Sequence, residues 1–112
     1  MNVGNYGNTF VGGTGYSGAG FDLSSYTNLS LVFTLPDRSE ITVESPDVVL
    51  GVINYTLPNG RVFNANQYVT YVFTEGQVSV AGNWRVRLVY DNDVAVPPEH
   101  FISSLGNFMV GA

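Results

Sequence analysis

The 112-residue chain has no cysteine, no lysine, a single histidine and few charges of any kind. Without cysteine there is no disulfide framework and no thiolate metal site. Stability must then come from buried apolar surface, and a chain of this length buries about two-thirds of what its unfolded form exposes. Without lysine there is no Schiff-base chemistry and no phosphate-binding loop lysine. Four arginines face nine acids, for a net charge of −5. Nucleic-acid affinity comes mostly from cations neutralising phosphates. Arg85 and Arg87 on one strand make no useful basic stripe, so DNA, RNA and anionic membranes are not expected as partners. Residues 1–20 hold neither a cation nor the apolar run of a secretion signal. No stretch approaches the roughly 18 apolar residues of a spanning helix. A soluble protein made in a cytoplasm is the expectation.

What is present is apolar, aromatic and glycine-rich. Only 12% of residues are charged, where an average domain carries about 25%. Charge normally keeps a free monomer soluble and unassociated. Interface cores are depleted of it, so much of this surface is expected to become interface.

Seven of the thirteen glycines fall in residues 1–20. Ordering glycine costs backbone entropy and brings no side chain to pack, so this segment reads as an arm or loop, with one short strand around Thr9–Val11. Gly13-Thr14-Gly15 is no phosphate cradle, because no helical pattern follows it.

From Phe21 the period is two. Leu29, Leu31, Phe33 and Leu35 alternate with Ser30, Val32 and Thr34, and Pro36-Asp37-Arg38-Ser39 turns the chain into Ile41 and Val43. Val48–Ile53 reads as an apolar strand, and Pro58-Asn59-Gly60 is the strongest turn signal. Tyr68–Thr74 and the alternation Trp84, Val86, Leu88, Tyr90 give two more strands. Val94–Val96 and an extended piece near Phe108–Val110 end the series. About seven strands, punctuated by turns, make an antiparallel sandwich or barrel.

Candidate chemistry is sparse. His100, the one imidazole, follows Pro97-Pro98-Glu99 in an expected loop, and a triad needs more than that. Asp37, Asp47, Asp91, Asp93 and Glu75 fall in turns, where such carboxylates bond their own backbone instead of forming a glycosidase pair. Asp91-Asn92-Asp93 begins like a calcium loop, but Ala95 and Val96 stand where further ligands are needed. No catalytic, cofactor-binding or metal-binding residue is assigned, and a small-molecule substrate is not expected. Phe33, Trp84 and Tyr90 fall in the inward phase of strands. Phe10, Tyr16, Phe21, Phe63, Phe101 and Phe108 lie off phase or in loops, and these are the candidate contact residues.

Several short words carry a family resemblance. They are Gly-Asn-Tyr-Gly-Asn-Thr-Phe at 4–10, Phe21-Asp22-Leu23-Ser24 before Leu29–Leu35, and Pro36-Asp37. Further on come Tyr68-Val69-Thr70-Tyr71 ahead of Glu75-Gly76, Ala81-Gly82-Asn83-Trp84, and Phe108-Met109-Val110. Together they resemble the small immunoglobulin-like domains of tailed-phage virions, best known from the N-terminal domain of baseplate upper proteins. The resemblance implies an immunoglobulin-like sandwich over residues 21–112, with residues 1–20 as an arm that adds a strand to a neighbouring subunit. It implies a non-enzymatic virion protein of tail, baseplate, neck or capsid surface, made in the host bacterial cytoplasm, whose partners are other virion proteins and copies of itself. The alternative is a carbohydrate-binding or host-adhesion module on the same kind of sandwich.

Overall fold

Strict alternation of apolar and polar residues forces one face of each strand inward, and the two clearest alternations become the centre of the molecule. The computed structural model describes residues 1–15 and 19–112. Among them there are nine strands and no helix: β1 (Thr9–Gly13), β2 (Thr27–Thr34), β3 (Glu40–Glu44), β4 (Val49–Leu50), β5 (Tyr55–Thr56), β6 (Val62–Phe63), β7 (Tyr68–Val72), β8 (Gly82–Asn92) and β9 (Glu99–Val110). They pair antiparallel in a four-stranded sheet β3-β2-β8-β9, a three-stranded sheet β1-β7-β4 and the small β5-β6 hairpin. The chain is therefore all-β and sandwich-like. The expected count of about seven strands is corrected to nine in three sheets, because the segments flanking Pro58-Asn59-Gly60 pair as a hairpin of their own.

The two larger sheets share one core. Leu29, Leu31 and Phe33 of β2 and Trp84, Val86, Leu88 and Tyr90 of β8 are buried on one side. Val69 and Tyr71 of β7, with Phe73 just beyond it, are buried on the other. Phe33 is fully buried at the meeting point, 5.4 Å from the Phe10 ring, 5.1 Å from Phe73 and 6.2 Å from Phe108. Trp84 is also fully buried, and its indole N–H donates to the Val80 carbonyl at 2.8 Å. Each such side chain contributes about 1.5–3 kcal/mol of transfer free energy.

Three expectations are corrected by pairing that no local pattern reveals. The short strand expected around Thr9–Val11 is β1, but the glycine-rich leader is laid on its own domain: β1 pairs with β7 along its length, Val3 N–H donates to Gly111, and Gly4 and Gly7 N–H donate to Val78 and Phe73. Gly12 and Gly13 suit this strand because a Cβ at Gly12 would lie 2.9 Å from Leu105 Cδ1. One at Gly13 would lie 2.3 Å from the Phe63 ring. The last strand is β9, twelve residues long, and not merely a piece near Phe108–Val110. A register shift opposite Val86 and Arg87, where Gly106 takes φ 96°, leaves Leu105 as the extra residue. The inward phase runs Phe101, Ser103, Leu105 before it and Phe108, Val110 after it. Finally, Val94–Val96 is no strand, and lies in the connection between β8 and β9 with Val96 98% exposed.

Candidate interaction surface

The six candidate contact aromatics do not form one surface. Phe10 and Phe108 point between the sheets, 5.8 Å apart, and Phe108 also lies 5.8 Å from Trp84. Phe63 is buried and stacks on Tyr68 at 6.0 Å, with Tyr55 5.9 Å from the same tyrosine ring. Phe10, Phe63 and Phe108 border a groove of 560 Å³ between the edge strands β1 and β9, completed by Gly12, Leu105 and Met109. Phe101 belongs to a second group at the other end, stacked on Tyr90 at 5.3 Å with Tyr26 4.8 Å from Tyr90. Phe21 joins that group 5.8 Å from Tyr90 and is 38% exposed. Tyr16 lies outside the described residues. The rings that sequence phase placed at the surface thus mostly meet other rings of the same chain.

Most of the exposed apolar side chains are aliphatic instead, although Tyr6 is 61% exposed. On β7, Val69 and Tyr71 face the core, so alternation turns Thr70 and Val72 outward. Thr9 and Val11 of β1 stand opposite Val72 and Thr70, and Val49 of β4 stands opposite Thr70 from the other side. Val49 and Val72 are each 52% exposed. Following β4, the chain crosses toward the outward-facing Tyr68, whose hydroxyl donates to the Ile53 carbonyl at 2.7 Å. Val52 and Ile53 are 71% exposed there. Gly51 permits this crossing, since a Cβ on it would meet the Tyr68 ring at 2.0 Å. The expected single strand Val48–Ile53 therefore breaks at Gly51. None of residues 1–15, 48–60 and 62–74 has a charged side chain, so the strands of the three-stranded sheet carry no charge, and Arg61 stands in the turn of the hairpin at the covered end. Those long uncharged blocks were the sequence signal for this surface.

The opposite face, on the four-stranded sheet, is built otherwise. Glu40 and Glu44 of β3, Arg85, Arg87 and Asp91 of β8 and His100 of β9 all stand on it. Arg87 Nη2 pairs with Glu40 Oε2, reaching across β2. His100 is on a strand and not in a loop: its Nδ1 lies 2.5 Å from Asp91 Oδ1, while Asn28 Nδ2 donates to Asp91 Oδ2 at 3.0 Å. An ionised carboxylate only accepts, so Nδ1 carries the proton in this pair. The His100 and Asn28 hydrogen bonds hold the Asp91 carboxyl below the ordinary carboxylate value, against a smaller opposing effect of burial. Asp91 is likewise on β8 and not in a turn, whereas Asp37 keeps the expected role, accepting from the N–H of Ser39 at 3.0 Å and its hydroxyl at 2.5 Å. Those bonds lower its carboxyl as well. Thr27 Oγ1 donates to Asp93 at 2.6 Å. Among the described residues no group of three or more His, Cys, Asp or Glu side chains converges as a metal site would require.

No family model, curated protein or solved structure matches this chain.

Proposed function

We propose that this chain is a structural subunit of a bacteriophage particle, at the tail, baseplate, neck or capsid surface, built on an immunoglobulin-like sandwich. It works through protein–protein contacts and catalyses no reaction. The observation that carries the reading is the outer face of the three-stranded sheet, whose strands carry no charge, with Val49, Val72, Val52 and Ile53 all more than half exposed. Exposed apolar side chains gathered on one face mark a contact surface. The particle context is supported by the Ala81-Gly82-Asn83-Trp84 and Phe108-Met109-Val110 segments and the other words of the resemblance. Aliphatic side chains on this face suit a protein partner, whereas a sugar is held best by exposed rings, and most rings here pack inside.

Density-gradient purification of particles from cells expressing the tagged chain, followed by quantitative mass spectrometry, tests the reading. The expected result is a band in which the chain keeps a fixed ratio to the major particle protein across fractions. A chain left wholly in the soluble fraction, or one that binds on a glycan array, counts against it.

A further inference from the structure

We infer that the outer face of the three-stranded sheet is a self-association surface, on which a second copy of this chain docks sheet against sheet. The inference rests on the assembly reading above and names the partner of that same face.

Shape is the first argument. Thr9, Val11, Val49, Thr70 and Val72 are short β-branched side chains on paired strands. Such a surface is flat apart from sheet twist, and it packs best against another sheet, with the two layers about 10 Å apart. The β5-β6 hairpin already covers the Tyr68 end, where Phe63 and Tyr55 lie against that ring. What remains open is the Val72 end, with Val52 and Ile53 beside the covered part.

Charge selects the occupant. The chain carries a net charge of −5, and none of its acids is on the strands of this sheet. Two copies meeting here bring no carboxylate toward another. Two copies meeting through the four-stranded sheets with the two-fold axis at β3 would set Glu40 and Glu44 against the same groups, and only an axis that pairs them with Arg85 and Arg87 would avoid it. Like charges so placed cost several kcal/mol in general. A strongly cationic partner would find its attraction on the charged sheet and not here. Nucleic acid and anionic lipid need a cluster of cations, and the strands of this sheet carry none. The remaining complement is a flat, uncharged, β-branched sheet, and the chain itself supplies one. Because β7 is the central strand and its Val72 end is the open one, a two-fold axis through that open end places Val72 near that of the second copy.

The open area is smaller than the roughly 20–30 residues a side of a standard interface, so the dimer forms in a concentration-dependent way. Sedimentation velocity on the full chain, over a dilution series, reads this directly. Wild type is expected to shift from monomer toward dimer as concentration rises, with little effect of added salt, because no ion pair joins the copies. Val72→Asp, at a half-exposed site, is expected to weaken the dimer more than about 100-fold. An equimolar mixture of Val72→Asp with Val72→Lys is expected to recover it. Val49→Asp serves as the second variant should Val72→Asp lose its circular-dichroism signature of folding. Glu40→Gln, on the other sheet, leaves association unchanged. A wild type monomeric at every concentration overturns the inference, as does a folded Val72→Asp or Val49→Asp that still dimerises. A hetero-partner captured by this face while wild type stays monomeric overturns it too. Particle co-purification is a separate readout, so the structural-subunit reading can stand when this one falls, and the reverse.

Discussion

The outer face of the four-stranded sheet carries Glu40, Glu44, Arg85, Arg87 and Asp91, whereas that of the three-stranded sheet carries Thr9, Val11, Val49, Thr70 and Val72. Both sheets bury the same kind of inner surface, and Phe33 of one touches Tyr71 and Phe73 of the other. The demands of the core therefore do not explain the contrast outside. A sheet exposed to water on one side ordinarily alternates apolar-in with polar-out. The four-stranded sheet follows that rule in part, setting Ile102, Val32 and Val89 among its charged and polar positions, whereas the outward positions of the three-stranded sheet hold no charge and alternate valine with threonine. Valine outside suits a strand by its β-propensity, and a partner on this face, as proposed above, would use it further.

The comparison assumes that both faces stand on one cooperative core, and truncating Phe33 is the strongest way to break that assumption. Phe33→Ala removes ring contacts to Phe10, Tyr71, Phe73, Trp84 and Phe108, which come from both sheets. A loss of about 3–5 kcal/mol is expected for such a change, a large share of the roughly 5–15 kcal/mol that holds a domain folded. Urea unfolding followed by Trp84 fluorescence and by far-UV circular dichroism should give one coincident, weakened transition. Two separated transitions would mean that the sheets fold independently.

A smaller effect sharpens how the uncharged sheet holds its covered end. The β5-β6 hairpin meets Gly13 through packing. The Phe63 ring rests where a Gly13 side chain would be, 2.3 Å from the position of a Cβ. Gly13→Ala must push that buried ring away, at an expected cost of about 1–3 kcal/mol. Phe63→Leu in the same chain should recover part of the loss, so the double-mutant cycle reads a coupling between the two sites. Additive effects would show that the ring is not what meets position 13.

How much of this was legible follows from which signals are local. The alternation in Leu29–Leu35 and Trp84–Tyr90 is a property of each strand alone, and both became central strands with the expected inward residues. The Asn59-Gly60 turn was equally local, with Gly60 at φ 85° and Leu57 N–H donating to Arg61 at 2.7 Å. Strand β9 was hidden because the extra residue at Leu105 reverses its alternation midway, and Ser103-Ser104 and Gly106 dilute its apolar content. The leader was legible only in its short strand near Thr9–Val11, which is β1, and its pairing was hidden for a different reason. Glycine there serves close approach by Leu105 and Phe63, from segments far away in sequence. The candidate surface needed the same non-local knowledge: uncharged blocks are visible in the chain, but only the pairing of β1 and β4 with β7 brings them onto one face.

On the charged face, the Arg87–Glu40 pair tests whether charge there stabilises the fold or keeps the face in water. Both side chains are well exposed, 42% and 50%. Exposed pairs contribute about 0–1 kcal/mol and less as salt rises. Glu40→Gln should therefore lower stability by about 0.5 kcal/mol at low ionic strength and by less in high salt, measured by chemical denaturation. A salt-independent loss several times larger would make this pair a structural element and not a solvated one.

The smallest effect separates the faces by pH. Asp91 titrates below the ordinary carboxylate value of 3.8, chiefly through its bond to His100 and next through Asn28. A carboxyl lowered in the folded state adds stability that is present above its unfolded value and is lost as pH falls through its folded one. Carboxyl-carbon NMR should accordingly place the Asp91 midpoint below 3.8 in wild type. In His100→Ala the midpoint should rise, and the Asn28 bond should leave part of the depression in place. The same titration should move signals of Val89 and Ile102 beside that pair while Thr70 and Val72 stay still, because no carboxylate or imidazole stands on the strands of their sheet. Equal movement at Val72 would mean that the two surfaces are electrostatically coupled through the thin sandwich, and the three-stranded sheet would then feel the acids that its own strands exclude.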